Sequence, residues 1–229
     1  MTDFPTLDAI TLPAANPNSL VLILHGYGAD GRDLADLGQI WQQQLPQTAF
    51  IALNAPEPCE ANPMGRQWFS LFDIAHSNRS GQLTYWPVEK ILGGLRRASA
   101  ILDHWITELA KQHNVPMHRI ALAGFSQGCM LSLHNGLRQP QALAGIVGYS
   151  GRLLAPELLT SELRSKPPVF LRHGDADDIV PPASLGEAEA ALRVLGLAVE
   201  AKMEPGLTHS ISPEGVAEAG EFLKKSLTA

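Results

Sequence analysis

Apolar residues are arranged along this chain in two alternating patterns. Short continuous runs such as Leu20-Val21-Leu22-Ile23-Leu24 lead into a glycine, as strands buried on both faces do. Longer stretches repeat apolar residues every three or four positions. From Val88 to His113, Ile91, Leu95, Ala98, Leu102, Trp105 and Leu109 step by four and three, one face of a helix of about seven turns. Asn114-Val115-Pro116 closes it.

The same patterns predict strands over 20–26, 48–56, 119–125, 142–151, 167–174 and 198–204. Helices are expected from about Gln127 to Arg138, near 182–196, and from Ser212-Pro213 onward, where a cap residue precedes proline at the first helical position. Strict alternation of strand and helix implies parallel strands joined by right-handed crossovers. The expected fold class is therefore α/β, a three-layer α/β/α sandwich on a mostly parallel sheet. No repeat, low-complexity tract or linker divides residues 1–229, so one domain is expected. Residues 54–87 lack a clear period, and so long an irregular stretch reads as a functional insertion.

Composition narrows the classes. The 229 residues, 45% hydrophobic and 17% charged, suit an ordinary globular protein. A chain of this size buries roughly 70–75% of its unfolded surface and needs no disulfide or metal to hold its core. A net charge of −6 without a long basic run argues against nucleic acid as a partner. The longest aliphatic run, residues 20–24, is far shorter than the ~20 residues of a membrane span, and the N-terminus lacks a secretory pattern. Cys59 and Cys129 lie in unlike settings with no CxxC spacing, as free thiols do in a reducing compartment. A soluble, cytoplasmic protein is expected.

The candidate chemistry starts at Gly124-Phe125-Ser126-Gln127-Gly128, a G-x-S-x-G nucleophile elbow between a predicted strand and a predicted helix. A serine is lifted clear at such a turn only if the backbone bends sharply, and glycines two residues either side remove the β-carbons that would clash. A serine there could equally be a plain helix cap. Chain order tests the choice, because an α/β-hydrolase runs serine, acid, histidine. Only His209, between the last strand and the last helix, follows all the candidate acids. Asp175, Asp177 and Asp178 follow the strand ending at Gly174; Asp177 is preferred, with Asp178 second, and spacing does not separate them. The backbone N–H groups of Gln127, after the serine, and Tyr27, in His25-Gly26-Tyr27-Gly28, are the oxyanion-hole candidates.

Together the motifs LHGYGAD, GRQWFS, GFSQG and HGDADDIVP…THS resemble the phospholipase/carboxylesterase family of α/β-hydrolases, over roughly residues 18–225. The GRQWFS stretch is most similar to that of bacterial esterases. The resemblance implies Ser126 as nucleophile, Asp177 as acid, His209 as base, and Tyr27 and Gln127 at the oxyanion positions. It also suggests that Trp68 and Phe69 lie near an acyl pocket, with core packing as their plainer alternative. Many relatives carry proline after the acid, where this chain has Asp178. The motif 81–87 is a candidate flap.

The expected activity is a serine carboxylesterase acting through an acyl-enzyme on small-molecule, short- to medium-chain acyl esters. A thioesterase or lysophospholipase would use the same three residues. No metal or organic cofactor is implied, since nucleophile and base are side chains. Relatives are often dimers, so a homodimer is an expectation from resemblance alone. The rival from another class is a non-catalytic binding module. A dienelactone-hydrolase-like enzyme would need its cysteine at the elbow, and Cys129 lies a turn beyond it.

Overall fold

The computed structural model describes residues 4–80 and 84–228, so residues 81–83 of the candidate flap lie outside the described residues. In chain order the elements are β1 (Ala9–Leu12), β2 (Ser19–Leu24), α1 (Arg32–Gln42), β3 (Thr48–Leu53), the two-residue strands β4 (Glu57–Pro58) and β5 (Arg66–Gln67), and α2 (Ile74–Ser80). There follow α3 (Val88–His113), β6 (Ile120–Phe125), α4 (Gln127–Gly136), β7 (Gly145–Tyr149), α5 (Leu159–Glu162), β8 (Val169–Gly174), α6 (Ala183–Val194), β9 (Val199–Glu204) and α7 (Pro213–Thr228).

Seven strands form one sheet in the order β1-β3-β2-β6-β7-β8-β9. All neighbours are parallel except β1, which runs antiparallel to β3. The side-chain period of two divides each central strand between the faces. Leu20, Leu22 and Leu24 of β2 pack with Leu95, Leu102 and Ile106 of α3, whereas Val21 and Ile23 pack with Trp41 of α1 and Leu223 of α7. Ile146 of β7 and Leu171 of β8 meet Leu133 of α4 and Leu192 of α6. The three expected layers are thus present, and central strands without a polar face explain their unbroken apolar runs.

Helix α3 spans the residues its period predicts, and all six stripe residues are buried. Asn114 ends it in the left-handed conformation, at φ 53°. At the start of α7 the Ser212 hydroxyl accepts the Gly215 N–H at 2.8 Å, a side-chain cap on one of the helix's free amides. Besides the short elements β4, β5, α2 and α5, two elements lie outside the predicted ones. Helix α1 buries Leu34, Leu37 and Trp41 on one face, and β1 is a partly exposed edge strand of four residues.

The strand order matters for function. From β2 the chain adds β3 on one side, then crosses to β6 on the other side of β2. The reversal lies between β2 and β6, and the crevice outside the carboxyl ends of strands at such a point is where open α/β sheets take ligands. Tyr27 follows β2 and Ser126 follows β6, so the candidate chemistry flanks that crevice.

Candidate active site

Ser126 joins β6 to α4 with φ 52° and ψ −113°, a conformation that costs an ordinary residue of the order of 1–3 kcal/mol. Its N–H is held by the carbonyl of Tyr149 on the neighbouring strand, at 2.9 Å. The bend brings Gly124 against Gly128, and Gly128 against the end of β2. A Cβ on Gly124 would overlap the Gly128 backbone, and one on Gly128 would overlap the Leu24 carbonyl. The two glycines are therefore demanded by packing at the elbow. Ser126 makes no side-chain cap to its own helix, and its side chain lines a cavity instead.

The acid and the histidine meet across two strand-end loops. Asp177 follows β8, and its side chain is fully enclosed. Its Oδ1 accepts the N–H groups of Ile179 and Val180, each at 2.9 Å, and its Oδ2 lies 2.8 Å from His209 Nδ1. Burial pushes the Asp177 carboxyl up, but the hydrogen bonds from His209, Val180 and Ile179 outweigh it and hold the group below the usual carboxylate range. Asp178 and Asp175 are exposed, and Asp175 is occupied with the Gly206 N–H at 2.6 Å. The His209 loop comes close enough only because β8 ends in glycine. A Cβ on Gly174 would overlap the Leu207 carbonyl. The Phe125 ring lies 4.8 Å from the imidazole, centroid to centroid.

His209 and Ser126 line one cavity. Among the described residues the serine hydroxyl makes no hydrogen bond, to His209 or to another group. Such contacts commonly tighten only when substrate is bound. The backbone N–H groups of Tyr27 and Gln127 likewise have no acceptor among the described residues. Gln127 opens α4, where free amides and the helix dipole favour developing negative charge.

The insertion braces this rim. Gly28 N–H donates to Arg66 O at 2.9 Å and Arg66 N–H to Ala29 O at 2.8 Å, tying β5 to the Tyr27 loop. Asn62 Nδ2 donates to Gly28 O at 2.8 Å. His25, unsuitable as the base by chain order, has a bracing position as well. Its Nδ1–H donates to Gly26 O at 2.7 Å while Nε2 accepts the Ala55 N–H at 3.1 Å, and burial holds its pKa below the ordinary value.

Of the two expectations for Trp68 and Phe69, a place near an acyl pocket or core packing, their positions match the second. Both are buried in the core on the α3 side of the sheet, and neither lines the cavity. They hold Gln127 instead. The Trp68 N–H donates to its side-chain oxygen at 2.9 Å, and its side-chain amide donates to Phe69 O at 2.6 Å. The aromatic side chains are drawn inward because the sheet and α3 offer them a dry surface. The cavity, about 340 Å³, has an apolar wall of Leu71, Phe72, Tyr85, Met130, Ile179 and Val180, with Cys59 and Tyr27 nearer the oxyanion loop. Of these wall residues, sequence reasoning placed only Tyr27, and Tyr85 within the candidate flap, at the site. Met130, one helical turn beyond Ser126, and Val180, three residues past Asp177, were the two that motif spacing could have indicated.

An elbow serine at the switch point of a parallel sheet, with a strand-end acid and a histidine before the last helix, defines the α/β-hydrolase class. The profile of phospholipase/carboxylesterase proteins matches residues 6–227. Acyl-protein thioesterase 1 of Gibberella zeae is 32% identical over 228 residues, 95% of each chain. Esterase YpfH of Escherichia coli is 26% identical over 94% of this chain and 86% of its own. Among solved structures, esterase PE8 superposes with a TM-score of 0.89 at 40% identity, covering 97% of this chain and all of that one. This chain belongs to the phospholipase/carboxylesterase family and is an ester hydrolase.

Proposed function

We propose that the enzyme hydrolyses short- to medium-chain acyl esters through an acyl-enzyme, with Ser126 as nucleophile, His209 as base and Asp177 as acid. His209 Nε2 takes the Ser126 proton as the hydroxyl oxygen attacks the ester carbonyl carbon. The N–H groups of Tyr27 and Gln127 receive the oxyanion that forms. His209 then gives its proton to the leaving alcohol, and water repeats the sequence to free the acid and the serine. Asp177 holds the Nδ1–H tautomer and stabilises the imidazolium throughout.

The observation that carries this reading is the Asp177–His209 contact of 2.8 Å beside an apolar cavity shared with the elbow serine. At about 340 Å³ the cavity lies at the small end of ligand sites, which favours short to medium acyl chains. The thioesterase reading is the second one, favoured by the Gibberella relative's name and near-complete overlap. An ester and a thioester present the same carbonyl to the same donors. One domain over residues 1–229, a cytoplasmic location and a homodimeric assembly complete the proposal; among the described residues no helix is long and apolar enough to cross a membrane.

A fluorophosphonate probe followed by intact mass and peptide mapping tests it. One adduct on Ser126, together with turnover of p-nitrophenyl esters that peaks at short or medium chains, is expected. An unlabelled protein would instead be a binding module. Preferred turnover of acyl-thioesters over matched esters would install the thioesterase reading.

A further inference from the structure

Behind the candidate acid stands a second imidazole that the mechanism above does not use. His173, the penultimate residue of β8, is 1% exposed. Its Nε2 lies 3.0 Å from the Val180 carbonyl oxygen and 3.2 Å from Asp177 Oδ2, the oxygen that His209 also reaches. A carbonyl oxygen only accepts, so Nε2 carries the hydrogen and donates to Val180. The positive edge of the same ring therefore also faces the carboxylate.

The turn 177–180 is closed twice over by this arrangement. Within it, the amides of Ile179 and Val180 hold Asp177 Oδ1. From behind, His173 ties the carbonyl of Val180 to the strand from which the turn departs. A slack turn would loosen both amides together, and with them the plane of the carboxylate that His209 must meet.

We propose that His173 is a positioning residue for the acid, fastening the Val180 carbonyl and standing against Asp177 Oδ2 so that the carboxylate stays in register with His209. The proposal rests on reading Ser126, Asp177 and His209 as the catalytic triad.

The surrounding groups are few. His209 comes from the loop after β9, Asp175 and Asp178 lie exposed on the same turn, and Tyr85 reaches over from the insertion, within electrostatic range of Asp177 and Arg152. The Cys129 thiol of α4 shares a small cleft with His173, and burial pushes it up to about 12, so it stays uncharged at neutral pH. Among the described residues only His209, Ile179 and Val180 hydrogen-bond the Asp177 carboxylate.

His173→Phe keeps a ring and removes its N–H, while His173→Gln keeps a donor near the position of Nε2. Fewer or weaker hydrogen bonds make a carboxylate more basic, and a more basic acid raises the pH at which His209 loses its proton. In His173→Phe the acid limb of the kcat/KM profile should therefore move up by about half a pH unit or more. Turnover of a short p-nitrophenyl ester should fall about tenfold or more with KM within about twofold, and His173→Gln should recover both limb and turnover. An unmoved limb in folded His173→Phe, or equal losses in both variants, overturns the proposal.

Nitrogen NMR of the wild-type protein supplies a test that needs no variant. Nε2 of His173 must carry a hydrogen, and a bare Nε2 overturns the role. If the wild-type protein gains no fluorophosphonate adduct, the triad reading falls and this inference with it. If Ser126 labels and the limb stays put, only the role of His173 is lost.

Discussion

The two walls of the candidate site are built by different rules. One wall consists of loops at the carboxyl ends of β2, β6, β8 and β9, where hydrogen bonds and close backbone contacts place single atoms. Asp177 is gripped by two amides and an imidazole, and Gly124, Gly128 and Gly174 stand where a β-carbon would collide with main chain. The other wall comes largely from the insertion, where Leu71, Phe72 and Tyr85 present apolar surface through ring and aliphatic packing. Phe72 meets Tyr27 edge-on at 5.3 Å and Tyr85 at 4.6 Å, contacts that several side chains could replace. The first wall should govern whether the reaction occurs and the second which acyl chains it accepts.

The largest expected effect comes from the first wall. Ser126→Ala and His209→Ala should each lower turnover by about 10⁶, the scale seen when a comparable triad loses its nucleophile or base. Their melting temperatures should match wild type; residual hydrolysis near the wild-type rate would remove both residues from the mechanism. Asp177→Asn should cost about 10⁴ in kcat, because the amide favours the wrong imidazole tautomer. Asp178→Asn, altering an exposed carboxylate, should leave kcat within about twofold. Steady-state kinetics on one ester compares the pair, and equal losses would erase the distinction between buried and exposed carboxylate.

Gly174→Ala probes the close approach of the two loops. Displacing Leu207 should lower stability by roughly 1–3 kcal/mol and push His209 away from Asp177. Urea melts and kcat should show the two losses together. On the second wall, Tyr85→Ala should enlarge the cavity and move the preferred ester toward longer chains. A methylene in an apolar site is worth about 1–3 kcal/mol of discrimination, so a p-nitrophenyl ester series resolves a shift of one or two carbons. A collapse of turnover on every chain length would show that the two walls are not separable.

A further effect, on stability rather than turnover, lies outside both walls. Burial, aided by the nearby Arg138 guanidinium, lowers His134 to about 3. The unfolded chain then binds a proton that the folded chain refuses, so this contribution is present above about pH 6.5 and is lost progressively as pH falls toward 3. His134→Leu should flatten the decline of melting temperature across that window. Asp177, held below the usual carboxylate range, contributes in the same sense but loses its share only at lower pH, beneath that range.

Much of the framework was legible because it follows from local periodicity. The stripe from Ile91 to Leu109 specifies α3 to the residue, and the unbroken apolar runs mark strands covered on both faces. Helix α1 lies outside the predicted helices although Leu34, Leu37 and Trp41 step by three and four. Strand β1 carries little signal of its own; three half-buried residues and the exposed Thr11 become a strand by pairing with β3. Trp68 and Phe69 show the opposite failure. The family resemblance suggested a nearby pocket, but the sheet and α3 enclosed them, as their plainer alternative of core packing has it.

By itself, the sequence determined the alternation of strand and helix, the elbow around Ser126 and the chain order that singles out His209. Each of these depends on neighbours a few residues apart or on simple order along the chain. Only the tertiary structure distinguished Asp177 from Asp178 and assembled the cavity wall. Those outcomes depend on which backbone amides a turn directs inward and on which distant side chains share one dry space. Adjacent aspartates are chemically alike until a fold buries one and leaves the other in water.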